Sequence, residues 1–201
     1  MEGRVAVLAS GTGTNLQALL DHPRIGPTVA LVVSDRSDAG ALDRGRARGV
    51  ETLVLEPSAF GTRSAHDAAL LDALRAHAID VVVLAGYMRL VGPQVVSAYR
   101  GRIVNVHPAL LPAFPGASAV ADALAHGVRI TGVTVHLVDE ELDHGPILAQ
   151  EAVPIVEDDT VATLTARLHE VEHRLLPAVT ADLLDGGIRV GARDGAAGGP
   201  A

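Results

Sequence analysis

The sequence contains no cysteine and no tryptophan among its 201 residues, and only two tyrosines and two phenylalanines. The absence of cysteine excludes disulfide bonds, thiolate nucleophiles and cysteine-ligated metal sites. With so few aromatic side chains, the core must be built from alanine, valine and leucine. Such a core is typical of buried parallel strands that are covered by helices.

Long apolar segments are also absent, since no run approaches the roughly 20 residues that are needed to span a bilayer. The N-terminal residues show no cleavage-site pattern of a signal peptide, so we expect a cytoplasmic protein without a membrane partner. The net charge of −8 argues against a nucleic-acid partner, because phosphate contacts need a basic surface. Small-molecule substrates are the expected partners, and the sequence leaves both a monomer and a homodimer open.

Short runs of valine, isoleucine and leucine alternate with longer helical patterns along the chain. This alternation predicts βαβ units and an α/β, Rossmann-like fold, with a mostly parallel twisted sheet flanked by helices. The later strands are not all separated by full helices, so we expect antiparallel pairing or loops there. The predicted strands are 4–10, 29–35, 51–56, 80–86, 102–107, 131–139 and 146–155. The length predicts a single domain over residues 1–190, followed by a flexible Gly/Ala-rich tail over 191–201.

The longest predicted helix covers residues 160–185, where apolar residues recur at intervals of three and four. We expect Asp158 or Asp159 to cap its start and Gly186 to follow its end. Pro177 lies inside this segment and is expected to kink the helix.

The same helix carries a pattern known from zinc hydrolases, because His169 and His173 fit H-E-x-x-H. A zinc site of this class needs a third protein ligand, but the usual glycine and histidine positions hold Leu176 and Val179. No glutamate follows Glu172, and His173 is the last histidine. We therefore expect no metal, and the alternatives are a solvated helix face or a polar substrate cleft.

The stretch SGTGTNL, residues 10–16, follows the first strand and opens a helix. Its glycines allow a tight turn, the free N–H groups at the helix start can bind an anion, and Thr12, Thr14 and Asn15 add donors. Leu16 replaces the third glycine of a dinucleotide-binding G-x-G-x-x-G, and no G-K-[ST] follows. A single phosphate is thus favoured, and an ordinary tight turn is the alternative.

The stretch NVHPALLPAFPG, residues 105–116, follows the fifth strand. The two-residue period of a strand places Asn105 and His107 on the same side. The prolines that follow fix a loop beyond the carboxyl edge, where α/β sheets bind their ligands. An amide beside an imidazole can stabilise an oxyanion, although a capping asparagine and a structural histidine are the simpler alternative.

The stretch DEELDHGP, residues 139–146, packs four carboxylates and a histidine into a turn. Asp143, next to a Gly-Pro turn, can enter the same site and hold a cationic imidazole in place. A solvated acidic turn is the simpler interpretation of Asp139, Glu140 and Glu141. His136 lies in the preceding strand, and we interpret it as structural.

Five segments, taken in order, resemble the phosphoribosylglycinamide formyltransferase family across residues 4–186: VLASGTGTNLQALL, DVVVLAGYMRLV, RIVNVHPALLPAFPG, GVTVHLVDEELDHGPILAQ and EHRLLP. The resemblance implies the formyltransferase fold and, in purine biosynthesis, transfer of a formyl group from 10-formyltetrahydrofolate to the amine of glycinamide ribonucleotide, without a metal. It implies a catalytic trio of Asn105, His107 and Asp143. The implied ribonucleotide site consists of Gly11, Thr12, Gly13, Thr14, Asn15 and Glu172. The implied folate site consists of Arg63, Met88, Arg89, Leu90, Val91, Val138, Asp139, Glu140, Glu141 and Leu142.

One position departs from the family, because many members carry a histidine where this chain has Ser118. Relatives that formylate methionyl-tRNA or a sugar amine, or that hydrolyse formyltetrahydrofolate, carry an extra domain, for which we expect no room here. Two other classes stay open as alternatives. A regulatory nucleotide-binding module would need the glycine loop without the trio, and a zinc hydrolase would hold a metal.

Overall fold

The computed structural model describes residues 3–186, so the predicted tail and the predicted domain boundary at residue 190 lie outside the described residues. The strands are β1 (Val5–Leu8), β2 (Val29–Ser34), β3 (Glu51–Val54), β4 (Val81–Leu84), β5 (Ile103–His107), β6 (Ile130–Leu137) and β7 (Ile147–Pro154). The helices are α1 (Thr14–Asp21), α2 (Gly40–Ala47), α3 (Arg63–Ala76), α4 (Pro93–Ala98), α5 (Ala119–His126) and α6 (Val161–Leu184). Short 3-10 helices lie at Gly26–Thr28 and Pro57–Ala59.

All seven strands form one sheet in the order β3-β2-β1-β4-β5-β6-β7. The pairs from β3 to β5 are parallel, whereas β5–β6 and β6–β7 are antiparallel. The predicted α/β fold with a mostly parallel sheet is confirmed, and so is the change of direction among the later strands. The strand order reverses between β1 and β4, and in such sheets the crevice at that point binds ligands.

The central strands are buried on both faces, which explains why they are continuously apolar instead of alternating. β1 has the sequence VAVL and β4 the sequence VVVL, and every residue of both is buried. Val5 and Val7 pack in a cluster with α1 and α6. Ala6 and Leu8 point the other way, into a cluster with α3 and α4. The sheet is thus enclosed between two layers of helices.

The side of β5 and β6 that bears Asn105 and His107 is covered by loops. Asn105 pairs with His136 across the antiparallel register, and His107 pairs with Thr134. The loop that follows β5 lies over these side chains, since the Leu111 N–H donates to Thr134 Oγ1 at 3.0 Å. The backbone of these loops brings polar groups to this face of the sheet. Such a face suits a reactive site better than one that is covered by a helix packed through apolar residues.

Helix α6 starts differently from the prediction. Thr160 is its cap and forms a reciprocal capping box with Thr163, so the prediction of Asp158 or Asp159 was wrong. Asp159 instead accepts from the backbone N–H of Val156 at 2.8 Å, which leaves the helix start to the adjacent threonine. The helix runs through Pro177 to Leu184. Within residues 3–186, no helix combines the length and apolarity needed to cross a membrane.

Candidate active site

Three side chains that the sequence singled out meet on the loop-covered face of β5 and β6. Asn105 Nδ2 lies 3.5 Å from Asp143 Oδ1, and His107 Nδ1 lies 3.5 Å from Asp143 Oδ2. The side chains of His107 and Asp143 are 5% and 8% exposed. The carboxylate therefore touches the amide and the imidazole at the same time, in an environment largely shielded from water.

A shorter hydrogen bond orients each member of this trio from its far side. His107 Nε2 donates to the Phe114 carbonyl at 2.8 Å, because a carbonyl oxygen can only accept. Asn105 Nδ2 lies 3.0 Å from His136 Nε2, and the Gly116 N–H donates to Asp143 Oδ2 at 2.8 Å. The short contacts fix the three orientations, and the longer contacts of 3.5 Å are the ones that a substrate atom can share or replace.

His136, which we interpreted as structural, contacts two members of this trio. It is 2% exposed, its Nδ1 donates to the Leu137 carbonyl at 2.8 Å, and Nε2 is left to face Asn105. The same Nε2 lies 3.7 Å from Asp143 Oδ1. The antiparallel pairing of β5 with β6 places it there, and the alternation of β6 was the only sequence signal for its side.

Contact with His136 and the Gly116 amide lowers the pKa of Asp143 from its usual 3.8, and the charge of His107 adds to this effect, against an opposing contribution from burial. The His136 distance of 3.7 Å exceeds a hydrogen bond, and His136 Nε2 has no proton to donate when Nδ1 donates to Leu137. The Gly116 N–H at 2.8 Å is therefore the contact that holds the carboxylate. Asp143 is therefore an anion at neutral pH.

The predicted phosphate loop lies at the reversal of strand order. Gly13 has φ +76°, and a Cβ there would come within 2.6 Å of Ala41 Cα, so the turn requires glycine. Ser10 Oγ accepts from the Met88 N–H at 2.9 Å, which joins this loop to the one that follows β4. α1 begins at Thr14 without a side-chain cap, which leaves the first backbone N–H groups without a side-chain acceptor.

Glu172 of α6 reaches the same loop, because Asn15 Nδ2 donates to Glu172 Oε2 at 2.7 Å. Glu172 is 4% exposed, and burial raises its pKa, against the opposing effects of the Asn15 hydrogen bond and of His169. Asn15 Oδ1 and His173 Nε2 are buried without a hydrogen-bond partner among residues 3–186. Buried polar atoms normally have partners, so this cleft has the polarity of a ligand site.

The H-E-x-x-H pattern contributes to this cleft. The rings of His169 and His173 stack with their centroids 6.0 Å apart, and His169 Nε2 lies 4.0 Å from Glu172 Oε2. Burial lowers the pKa of His173, and nearby His169 and Arg44 lower it further. Across residues 3–186, no three histidine or carboxylate side chains cluster as a metal site would require. The polar-cleft alternative describes this segment best.

Sequence reasoning missed Arg44, which lies on α2 and contacts the predicted phosphate loop. Its Nε donates to the Thr12 carbonyl at 2.8 Å and its Nη1 to Gln17 Oε1 at 3.1 Å. A cavity of about 530 Å³ lies beside this loop, lined in part by Thr12, Arg36 and Arg44. Three arginines occur within five residues of the sequence here, and nothing in that spacing distinguishes Arg44 from its neighbours.

The predicted folate residues fall into two groups, one of Arg63 with residues 88–91 and one of residues 138–142. Arg63 Nη2 donates to the Leu90 carbonyl at 3.1 Å, which brings the start of α3 to the loop that follows β4. Val91 and Val138 pack against the same apolar cluster on that side of the sheet. The unusually exposed apolar side chains of these groups are Met88, Leu90 and Leu142, which are 71%, 56% and 56% exposed.

The acidic residues of the turn 138–143 make contacts within the protein. Asp139 Oδ1 accepts from the Glu141 N–H at 2.9 Å, and Glu140 Oε1 lies 3.5 Å from Arg100 Nη2. Ser118, where the resemblance implies a histidine in many members, is exposed at the start of α5, two residues beyond Gly116.

The chain is similar to known formyl transferases over most of its length. A family model described as formyl transferase matches residues 3–180, a region that contains every predicted site residue. The chain is 47% identical over 190 residues to phosphoribosylglycinamide formyltransferase of Mycobacterium tuberculosis, covering 93% of this chain and 87% of the relative. The Bacillus subtilis protein of the same name is 42% identical over 184 residues, covering 90% of this chain and 94% of the relative. Glycinamide ribonucleotide transformylase 1 from Symbiobacterium toebii is 48% identical, with a TM-score of 0.91 over 94% of this chain and 91% of that structure.

Proposed function

The chain belongs to the formyl transferase family, and we propose that it transfers a formyl group from 10-formyltetrahydrofolate to the amine of glycinamide ribonucleotide. The relatives that carry the name phosphoribosylglycinamide formyltransferase match nearly the whole of both chains. The observation that carries the chemical part of the proposal is the convergence of Asn105, His107 and Asp143 on one point.

The ribonucleotide binds between the loop 11–15 and α6 in this proposal. The phosphate accepts from the backbone N–H groups at the start of α1, and Glu172 accepts hydrogen bonds from the sugar or the glycinamide. The unpartnered Asn15 Oδ1 supports this placement, since a hydroxyl donor would satisfy it. The folate lies on the other side of the trio, against the exposed apolar side chains Met88, Leu90 and Leu142.

The reaction begins when the amine nitrogen attacks the formyl carbon. A C–N bond forms, and the carbonyl electrons move onto oxygen to give a tetrahedral oxyanion. Asn105 Nδ2 and a protonated His107 stabilise that charge, through the N–H groups that now make only long contacts to Asp143. Because the short bonds to His136 and Phe114 hold both side chains in place, they need little rearrangement when the charge develops.

Asp143 has two tasks in this mechanism. Its carboxylate faces Nδ1 of His107 while the Phe114 carbonyl faces Nε2, so the imidazole is oriented at both ring nitrogens. Asp143 also relays the proton that the attacking amine must lose, and the intermediate collapses as the bond from carbon to the folate nitrogen breaks and that nitrogen takes up a proton. No covalent bond to the enzyme forms at any step.

A spectrophotometric assay with a 10-formylfolate analogue and glycinamide ribonucleotide tests the proposal. We expect deformylation of the analogue to depend on the ribonucleotide and to produce one formylated amine for each folate released. Free glycinamide, which lacks the ribose phosphate, serves as the matched substrate control and should react far more slowly. Deformylation at the same rate without any amine would identify a hydrolase instead and would overturn the proposal.

A further inference from the structure

The segment between β6 and β7 forms a loop that is closed at its base. The Leu137 N–H donates to the Pro146 carbonyl at 2.9 Å. Gly145 lies so close to this base that an added Cβ would come within 1.9 Å of Leu137 O. The two ends of the loop are therefore held together by backbone contacts, and its internal shape depends on residues 138–144.

A contact between the side chains of a histidine and an aspartate also joins the two arms of this loop, next to its base. His144 Nδ1 lies 3.0 Å from Asp139 Oδ2, and Asp139 Oδ1 accepts from the Glu141 N–H at 2.9 Å. Asp139 thus uses both of its oxygens inside the loop. The His144 and Asp139 side chains are 65% and 37% exposed, so neither is part of the core, and their contact has no evident packing role.

Asp143 needs such support because its backbone conformation is unfavourable. Its φ is +51°, in the left-handed region that residues with a Cβ seldom adopt. A conformation of this kind persists only where surrounding contacts hold it. The Gly116 N–H holds the carboxylate from one side, and the next residue in the chain, His144, is hydrogen-bonded to Asp139.

We propose that His144 is a positioning residue, whose hydrogen bond to Asp139 fixes the backbone of Asp143 so that its carboxylate faces Asn105 and His107. The peptide between residues 143 and 144 is rigid, so anchoring the His144 side chain limits rotation about ψ of Asp143. The catalytic consequence rests on the proposed function, whereas the effect on the orientation of Asp143 does not.

Two substitutions of the exposed His144 distinguish the effect of losing the hydrogen bond from the effect of losing the imidazole ring. His144→Ala removes the contact with Asp139, and His144→Asn keeps a donor, because the asparagine Nδ2 occupies the place of the imidazole Nδ1. We expect His144→Ala to lower kcat roughly tenfold with little change in either KM, since displacing a catalytic group by about 1 Å costs about a hundredfold. His144→Asn should restore most of the rate.

The Gly116 amide gives a readout that does not depend on activity. Its N–H donates to the Asp143 carboxylate, so its proton resonance should move upfield and its exchange should accelerate in His144→Ala, but not in His144→Asn. The matched control is Glu51→Gln, which removes the exposed carboxylate from the His77–Glu51 pair at 3.1 Å, remote in sequence from this loop. That variant should change neither kcat nor the Gly116 resonance.

Each contrary result has a separate meaning. An unchanged Gly116 resonance in His144→Ala overturns the positioning role, whatever the activity. A shifted Gly116 resonance with unaltered kcat overturns the catalytic consequence of the positioning role. A rise in the folate KM alone would also overturn it and would assign the His144–Asp139 contact to folate binding instead. If the unsubstituted protein transfers no formyl group, the proposed function fails, and the Gly116 measurement still decides the structural part.

Discussion

Two regions of the molecule differ in whether their buried polar atoms have hydrogen-bond partners. They are the pocket of Asn105, His107 and Asp143, and the cleft between the predicted phosphate loop and α6. In the pocket, Asn105, His107 and Asp143 each have a protein partner at 3.0 Å or less. In the cleft, Asn15 Oδ1 and His173 Nε2 have no such partner within the described residues. In the proposed mechanism, the pocket is preorganised for a charge that develops during the reaction, whereas the cleft is completed by the ribonucleotide. Substitutions in the pocket should therefore act on kcat, and those in the cleft on KM.

The largest effect should come from Asp143→Asn. The substitution keeps the shape of the side chain but removes the charge that faces His107 and the group that relays the proton in the proposed mechanism. We expect kcat to fall on the order of 10³-fold, with the KM for the ribonucleotide changed by less than about threefold. Steady-state kinetics with both substrates varied would measure this, and an unaltered kcat would remove Asp143 from the mechanism.

A smaller effect on the same parameter is expected for His136. His136→Leu removes the acceptor that orients Asn105, and kcat should fall roughly 10- to 100-fold, an intermediate loss for a group that acts through a donor. His136→Gln offers an amide oxygen near the position of Nε2 and should lose less activity. Thermal unfolding of both variants checks that the fold survives. If Leu and Gln cost the same, the Asn105–His136 contact has no part in catalysis.

The pocket also shows which part of the site could be predicted from the sequence. The shared side of Asn105 and His107 follows from the two-residue period of a strand, and the Gly-Pro turn marked Asp143. The position of His136 depends on the register between β5 and β6, which is set by tertiary pairing and leaves no local signal. The strand pattern, by contrast, predicted the seven strands and the mostly parallel sheet, because aliphatic runs alternating with helical periods have few other solutions. It did not predict the strand order.

The cleft was harder to predict because its contacts join distant parts of the chain. Asn15 and Glu172 are 157 residues apart and share one hydrogen bond. Glu172 was picked out by the resemblance, whereas the H-E-x-x-H pattern around it suggested a different chemistry. Local spacing gave the glycine turn, but only the packing of α6 on α1 makes a helix-face glutamate part of a buried site.

The cleft should respond through binding. Glu172→Gln keeps a hydrogen-bond acceptor for Asn15 but loses the charge, and we expect the ribonucleotide KM to rise about tenfold, the order expected for a hydrogen bond to a charged group. kcat should change by less than about threefold. Isothermal titration with the ribonucleotide alone provides a direct check. A fall in kcat at unchanged affinity would place Glu172 with the trio and erase the distinction between the two regions.

The smallest expected effect is on the pH dependence of the free energy of unfolding. Its sign is opposite for Glu172 in the cleft and Asp143 in the pocket. Burial raises the pKa of Glu172 above 4.5, so its contribution is complete below that pH and is lost as the pH rises through the folded-state pKa. The pKa of Asp143 is lowered from 3.8, so its contribution is present above that pH and is lost as the pH falls through the folded-state value.

Relative to the unsubstituted protein, Glu172→Gln should therefore gain stability as the pH rises from about 4.5, by about 1.4 kcal/mol for each unit of pKa shift. Asp143→Asn should gain relative stability only in acid. Urea unfolding of the three proteins between about pH 3 and 8 measures both slopes, and parallel curves would mean that neither carboxylate is perturbed by folding.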